Sequence, residues 1–265
     1  MAEAYERVMA ARAKGRPTTM RFIENIFTDF TELHGDRRFG DDKAIVAGIA
    51  RLGEMPVTVI GMEKGADTKE KVSRNFGSPH PEGYRKALRL MKQAEKFHRP
   101  VVCFVDTSGA YCGISAEERG QAQAIAENLM EMMALKTPVI SVLIGEGGSG
   151  GAIGLAVADE VWMLENAWYS VISPEGCASI LWKDSGKMKE AAACLKLTAD
   201  DLYSFGVIEQ VISEHDGDFV PVYEELKEKL AKVLAKNSSL PIETLLDNRY
   251  NRFRRIGAPG EIPTP

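Results

Sequence analysis

The chain has 265 residues, 45% hydrophobic and 27% charged, enough for one large domain with a substantial core or two small ones. A net charge of −5 argues against a protein built as a whole to bind nucleic acid. No apolar run approaches the roughly 18 residues of a membrane span, and the charged opening MAEAYERVMAARAKGRP has no apolar stretch of a secretory signal.

Residues 19–33 place Phe22, Ile23, Ile26, Phe27, Phe30 and Leu33 at helical spacing. The polar stretch HGDRRFGDD follows, then two apolar runs, 44–52 and 56–63, joined across Gly53 and Glu54 as a β-hairpin. KGADTKEKVSRNFGSPHPEG reads as a long basic loop. Pro81 opens a helix with Tyr84, Leu88, Met91 and Phe97 on its inner face.

From there strand, glycine turn and helix alternate. VVCFV (101–105) is a short buried strand and DTSGAYCGI a glycine turn. Ser115 and Glu118 form a capping-box signature before a helical stripe of Ala122, Ile125, Ala126, Leu129 and Met133. VISVLI (139–144) is the next strand, GEGGSGG the next turn, and AIGLAVA a short helix. Strands at 161–164 and 168–172, a helical stretch through 187–206, and a strand at 207–212 close the series. A helix covers 220–235, and an extended tail from Ser238 wraps or frays. This succession predicts an α/β fold with a parallel sheet in a single domain, 1–265, with its core over about 19–215 and a C-terminal helix and tail over 220–265. The cysteines Cys103, Cys112, Cys177 and Cys194 show no C-x-x-C pair and no metal spacing, so reduced thiols, no bound metal and a cytoplasmic location are expected.

The turn GEGGSGGA (145–152) fits several chemistries on paper. As a dinucleotide fingerprint it fails for want of length: nine residues separate Gly151 from Val161, too few for a crossover helix with loops. As a nucleophile elbow it makes Ser149 a nucleophile, but only His215 lies downstream to serve as base. As a phosphate loop it lacks the Lys and Ser/Thr that should follow Gly150. What remains is bare backbone. Gly150 and Gly151 open a helix, so their N–H groups have no intrahelical partner and suit a developing oxyanion. The turn at 107–113 has the same setting, and the two on neighbouring strands suit a shared cleft, unless the glycines only permit tight packing.

Long runs then become recognisable. DDKAIVAGIARL, KGADTKEKVSRNFGSPHPEGYRKALRLM, DTSGAYCGISAEERGQAQAIAENL, IGEGGSGGAIGLAVAD and YSVISPEGCASILWK, spread over roughly 19–215, resemble the α subunits of the carboxyltransferase component of multi-subunit acetyl-CoA carboxylases. The resemblance implies a crotonase/ClpP-like spiral of ββα units. It implies transfer of the carboxyl group from carboxybiotin, carried on a biotin carboxyl carrier protein, to acetyl-CoA, giving malonyl-CoA for fatty acid synthesis. It also implies a zinc-bearing β subunit in an α2β2 assembly, with ATP used by a separate biotin carboxylase. Gly150 and Gly151 match the pair whose N–H groups bind the ureido oxygen of biotin. The resemblance makes Gly109 and Ala110 second-site backbone donors or wall residues, and Gly147 and Gly148 substrate-binding. The usual D-T-P-G-A-Y-P-G of the family has Ser108 and Cys112 here in place of its prolines. A related decarboxylase subunit and a crotonase-type hydratase or isomerase are the rival readings.

Other residues carry paired expectations. Lys64, Lys69, Lys71 and Arg74 meet the phosphates of CoA or an acidic carrier, or form a solvated loop. Arg249, Arg252, Arg254 and Arg255 dock the partner subunit or belong to a solvated tail. Glu146 orders its turn by accepting N–H bonds or stands exposed. Ser173–Gly176 form a further strand-to-helix turn near the cleft.

Overall fold

The structure, a computed structural model, describes residues 3–258; the last part of the expected tail, 259–265, lies outside the described residues. α1 (Ala4–Ala11) and α2 (Thr19–Ile26) precede β1 (Thr28–Glu32), β2 (Ile45–Leu52) and β3 (Met55–Met62). The hairpin is present: β2 and β3 pair antiparallel from Ile45↔Met62 to Leu52↔Met55, and Gly53 takes φ +59, which a tight two-residue turn requires. Residues 28–32 are not helix. α2 ends at Phe27, and β1 pairs antiparallel with β2, because Gly48 leaves room for the Thr31 carbonyl and the Phe30 ring to close over it.

α3 (Thr68–Ser73) and α4 (Pro81–Lys96) lead to β4 (Val101–Thr107); α5 (Ile114–Glu118) and α6 (Gln121–Met133) lead to β5 (Val139–Gly148). β3, β4 and β5 are parallel neighbours, and β4 and β5 are buried along their whole length, as their near-continuous apolar sequence demands. Three details of the helices depart from expectation. Gly113, not Ser115, precedes α5, and Gly120 at φ +81 breaks the run before α6. The buried face of α6 is Gln121, Ala124, Asn128 and Met132, so Ala122 and Ala126 face solvent. On α4, Tyr84 and Met91 are buried as expected, but Leu88 is half-buried and Phe97 exposed.

After α7 (Ser149–Ile153) come β6 (Glu160–Leu164) and β7 (Trp168–Ser170). β5 serves both: Ile140–Leu143 pair with β6, while Glu146–Gly148 pair with β7. The sheet therefore divides where the glycine turn begins. α8 (Pro174–Leu181) starts from Ser173, whose hydroxyl accepts the Gly176 N–H, with Pro174 at the first helical position. The expected long helical stretch is two helices, α9 (Met188–Leu195) and α10 (Ala199–Ser204), parted by Lys196 at φ +52. β8 (Gln210–Ile212) extends the sheet beside β6, giving the order β1-β2-β3-β4-β5-β6-β8.

α11 (Phe219–Ser238) packs Tyr223 edge-on to Phe22, ring centres 5.2 Å apart. The described residues beyond it do not fray. They form α12 (Ile242–Arg255), whose Arg249 and Arg252 are buried, while Arg254 and Arg255 are exposed. At the other end of the chain, Arg16 holds Glu214 through two contacts of 2.7 Å and donates to the Ile144 carbonyl at 3.0 Å. No described helix is long and apolar enough to cross a membrane.

Candidate active site

The two glycine turns interlock. A Cβ on Gly148 would fall 2.1 Å from the Ser108 carbonyl oxygen, and one on Gly151 would fall 2.5 Å from the Ala110 nitrogen. Only glycine lets these backbones meet. Gly147 is enclosed as well, 2.8 Å from its would-be Cβ to the Trp168 carbonyl oxygen. Gly150 differs: its side-chain position is open, with the Ile125 Cδ1 at 3.9 Å the nearest atom. Close packing thus accounts for Gly147, Gly148 and Gly151, and leaves Gly150 as a glycine that no neighbour demands.

The amides divide the same way. The Gly109 N–H donates to Thr107 Oγ1 at 3.1 Å, and Tyr111 N–H to the Pro79 carbonyl at 3.0 Å. None of the described residues accepts from the amides of Ala110, Gly150 or Gly151. Ser149, at φ +53, turns the chain into α7. No histidine hydrogen-bonds its hydroxyl; His80 instead stacks on Tyr111 at 4.0 Å, so the elbow reading has no base. The Gly151 carbonyl accepts from the buried Tyr84 hydroxyl at 3.2 Å, and the Gly154 carbonyl from Asn128 at 3.0 Å, which fixes α7 from behind.

Beneath the turns lies an ion cluster. Lys64 Nζ is 2.6 Å from Asp106 Oδ1 and 2.6 Å from Glu146 Oε2. Arg12 reaches the other oxygen of Glu146 at 2.7 Å and Glu175 at 2.6 Å. Burial disfavours the Lys64 ammonium, but Asp106 and Glu146 outweigh it and raise its pKa. Burial likewise pushes the Glu146 carboxyl up, and Lys64 and Arg12 outweigh it, leaving it lowered and ionised. Glu146 is therefore neither exposed nor an acceptor for its own turn, and Lys64 is not part of a solvated loop. Arg12 and Asp106 carry no expectation from the sequence, where the one signal is Asp106 ending the apolar run VVCFV; Glu175 belongs to the turn expected near the cleft.

Two hollows flank the turns. A polar cleft of about 790 Å³ is lined by Arg21, Lys71, Arg74, Phe76 and Ser108, among others. Lys69 is exposed and does not line it, and Arg74 donates to the Lys43 carbonyl at 2.9 Å. A second, largely apolar hollow of about 500 Å³ has Ser149 and Gly150 at one wall and Ile153, Val171, Phe253 and Ile256 around it. Glu175 of the Ser173–Gly176 turn joins the ion cluster through Arg12. Cys103, Cys112, Cys177 and Cys194 are free thiols; burial pushes Cys103 up to about 12.

This architecture recurs in solved structures. Transcarboxylase 12S superposes with a TM-score of 0.67 at 19% identity over 81% of this chain and 41% of that one. A Pseudomonas malonate decarboxylase hetero-tetramer superposes at 0.62 with 20% identity, over 82% and 89% of the two chains. The chain thus shares the fold of these two proteins.

Sequence narrows it. Residues 2–257 match the family described as acetyl co-enzyme A carboxylase carboxyltransferase-like. The chain is 69% identical to the acetyl-coenzyme A carboxylase carboxyl transferase subunit alpha of Ruminiclostridium cellulolyticum, over 96% of this chain and 98% of that protein. It is 62% identical to the subunit of the same name from Clostridium acetobutylicum, over 96% and 94%. The chain belongs to the acetyl-CoA carboxylase carboxyltransferase α-subunit family. It is a transferase subunit of biotin-dependent chemistry with a β-subunit partner.

Proposed function

We propose that this chain supplies the carboxybiotin half of the site that makes malonyl-CoA, with the amides of Gly150 and Gly151 holding the ureido oxygen. The observation that carries the reading is Gly150 itself: an open side-chain position and an unpaired N–H, beside an apolar hollow of about 500 Å³. The residues fit the group. Gly150 lines the hollow and Gly151 follows it in α7, two amide donors for the one carbonyl oxygen, and Ile153, Val171, Phe253 and Ile256 offer an apolar wall that docking of the β subunit would close off from water. When bound, carboxybiotin supplies the carboxyl group and, once that has left, a nitrogen able to take the acetyl proton, so no protein acid–base pair is needed. The amides act where negative charge grows on the oxygen, and each such donor contributes about 3 kcal/mol in acyl chemistry.

The other assignments follow the same family reading. The β subunit, zinc-bearing, presents acetyl-CoA, and its docking covers the exposed Val171, Ile180 and Leu181. Lys71 and Arg74, with Lys69 on the outer face, meet the phosphates of CoA or the acidic surface of the biotin carboxyl carrier protein. Ala110 offers a second free amide, and Gly109, whose N–H is taken, shapes that turn. Gly147 and Gly148 bring the backbones together. Biotin carboxylase recharges the carrier with ATP, and the assembly is α2β2 in the cytoplasm.

The test is carboxyl transfer from malonyl-CoA to free biotin by the chain reconstituted with its β subunit. Gly150→Val has room to fold and keeps its N–H, but it puts a branched side chain at the edge of the hollow and displaces the oxygen from the amides, so kcat should fall by about 100-fold. Unchanged transfer would reject the assignment. The chain alone should not turn over crotonyl-CoA; turnover would favour the hydratase reading.

A further inference from the structure

We infer that Lys64 is a positioning residue for carboxyl transfer, a single cation that sets the spacing of the two amide-bearing turns. This rests on the reading of Gly150 and Gly151 above.

Asp106 stands four residues ahead of Ala110, and Glu146 four residues ahead of Gly150. Between them the backbone ladder lapses. β4 and β5 pair regularly up to Val105↔Leu143 and resume only at Thr107↔Gly147, so Asp106 alone faces residues 144–146. Regular pairing cannot hold the strands over this stretch, and side chains take its place. Asp106 Oδ1 accepts the Glu146 N–H at 2.8 Å. Lys64, from the loop after β3, then ties both carboxylates at 2.6 Å each.

Room for this bracket has been made on both sides. A Cβ on Gly145 would fall within 2.4 Å of Asp106 Oδ1, and one on Gly77, at φ +76, within 2.6 Å of Lys64 Cγ. Glu146's other oxygen is held by Arg12, so the carboxylate cannot swing away to water. Without the ammonium, two buried carboxylates would face one another across a few ångströms of low dielectric, and each would push its turn outward. An oxyanion donor works over a narrow span of about 2.7–3.1 Å, and a shift near 1 Å can cost about 100-fold in rate. Lys64 does not need to touch the reacting atoms; it acts through the turns.

The experiment uses the reconstituted α–β complex, with carboxyl transfer from malonyl-CoA to free biotin measured for Lys64→Met and Lys64→Arg. For Lys64→Met we expect kcat to fall about 30- to 100-fold, with the KM for malonyl-CoA within about twofold and the complex intact by size-exclusion chromatography. Lys64→Arg, which keeps the charge, should recover to within about fivefold of the parent. An unchanged kcat in Lys64→Met overturns the inference. So does a KM rising in step with the loss, or a Lys64→Arg complex that assembles yet is no better than Lys64→Met. Where Lys64→Met does not assemble, the Lys64→Arg result decides. Gly150→Val run in parallel separates the two levels: if it inactivates while Lys64→Met does not, only the role of Lys64 falls; if neither matters, the turn assignment falls with it.

Discussion

Replacing Arg249 by Leu should weaken the fold more than replacing any of its arginine neighbours on α12. The guanidinium is fully buried. It donates to both Asp159 oxygens, at 2.8 and 3.0 Å, and to the carbonyls of Met132, Leu135 and Thr137 at 2.7 to 3.0 Å. Those carbonyls end α6 and enter β5, and Asp159 also accepts the Val139 N–H at 2.7 Å. Leucine fills much of the volume but leaves Asp159 as an uncompensated buried charge, a loss of about 3–5 kcal/mol. The unmet carbonyls belong to the same network, so their cost is not added again. At about 2–4 °C per kcal/mol for a chain near this size, melting should fall by roughly 6–20 °C. Urea midpoints and thermal circular dichroism measure it, with exposed Arg254→Leu, expected within about 0.5 kcal/mol of the parent, as the control. Arg249→Lys keeps the charge but not the five-donor fork and should lie between. A loss under about 1 kcal/mol for Arg249→Leu would refute the picture of α12 as a clamp on the start of β5.

Gly148→Ala drives a methyl into the Ser108 carbonyl, which is backbone and cannot step aside; a loss near 3 kcal/mol is expected, against less than about 1 kcal/mol for Gly150→Ala, and equal melting curves would contradict the interlock. Asp36 contributes to acid stability, alongside Asp41, which is lowered as far: burial would raise the Asp36 carboxyl, but the N–H groups of Phe39, Arg38 and Gly40 together with Arg85 prevail and hold it at about 2, below its ordinary 3.8. A depressed carboxylate stabilises the fold above its unfolded pKa and loses that contribution as pH falls towards the folded one, so urea midpoints should drop between about pH 4 and pH 2, and less steeply in Asp36→Asn, where Asp41 remains. An unaltered slope would exclude Asp36 as the group. Lys71→Ala with Arg74→Ala should raise the KM for malonyl-CoA several-fold, more at low salt, and leave kcat nearly alone; a kcat effect with constant KM would move these cations to the chemistry.

Elements with strong local signals were legible in the sequence. The hairpin across Gly53, the buried strands β4 and β5 and the turns that end them follow from apolar runs and glycine placement. Errors came where a tertiary partner outbid local periodicity. Thr28–Glu32 continue a helical pattern, yet an unpaired edge of β2 recruits them as a strand. The α6 face is rotated because Gln121 and Asn128, polar by type, bond inward to backbone carbonyls and are buried. Arg249 and Arg252 look like a solvated basic tail, and nothing local says that Asp159 and Glu209 await them.

Amino-acid order alone determined the family, the parallel α/β layering and the two glycine turns, because these depend on contiguous runs whose conformational and packing needs are local. Which glycine is open on its side-chain side and which faces only another backbone was decided in three dimensions, by the distance at which two chain segments far apart in sequence come to rest. The ion cluster of Arg12, Lys64, Asp106 and Glu146 belongs to the same category: four charged residues from four separate segments acquire their meaning only when folding brings them together and burial leaves Asp106 and Glu146 dependent on Lys64 and Arg12 for compensation.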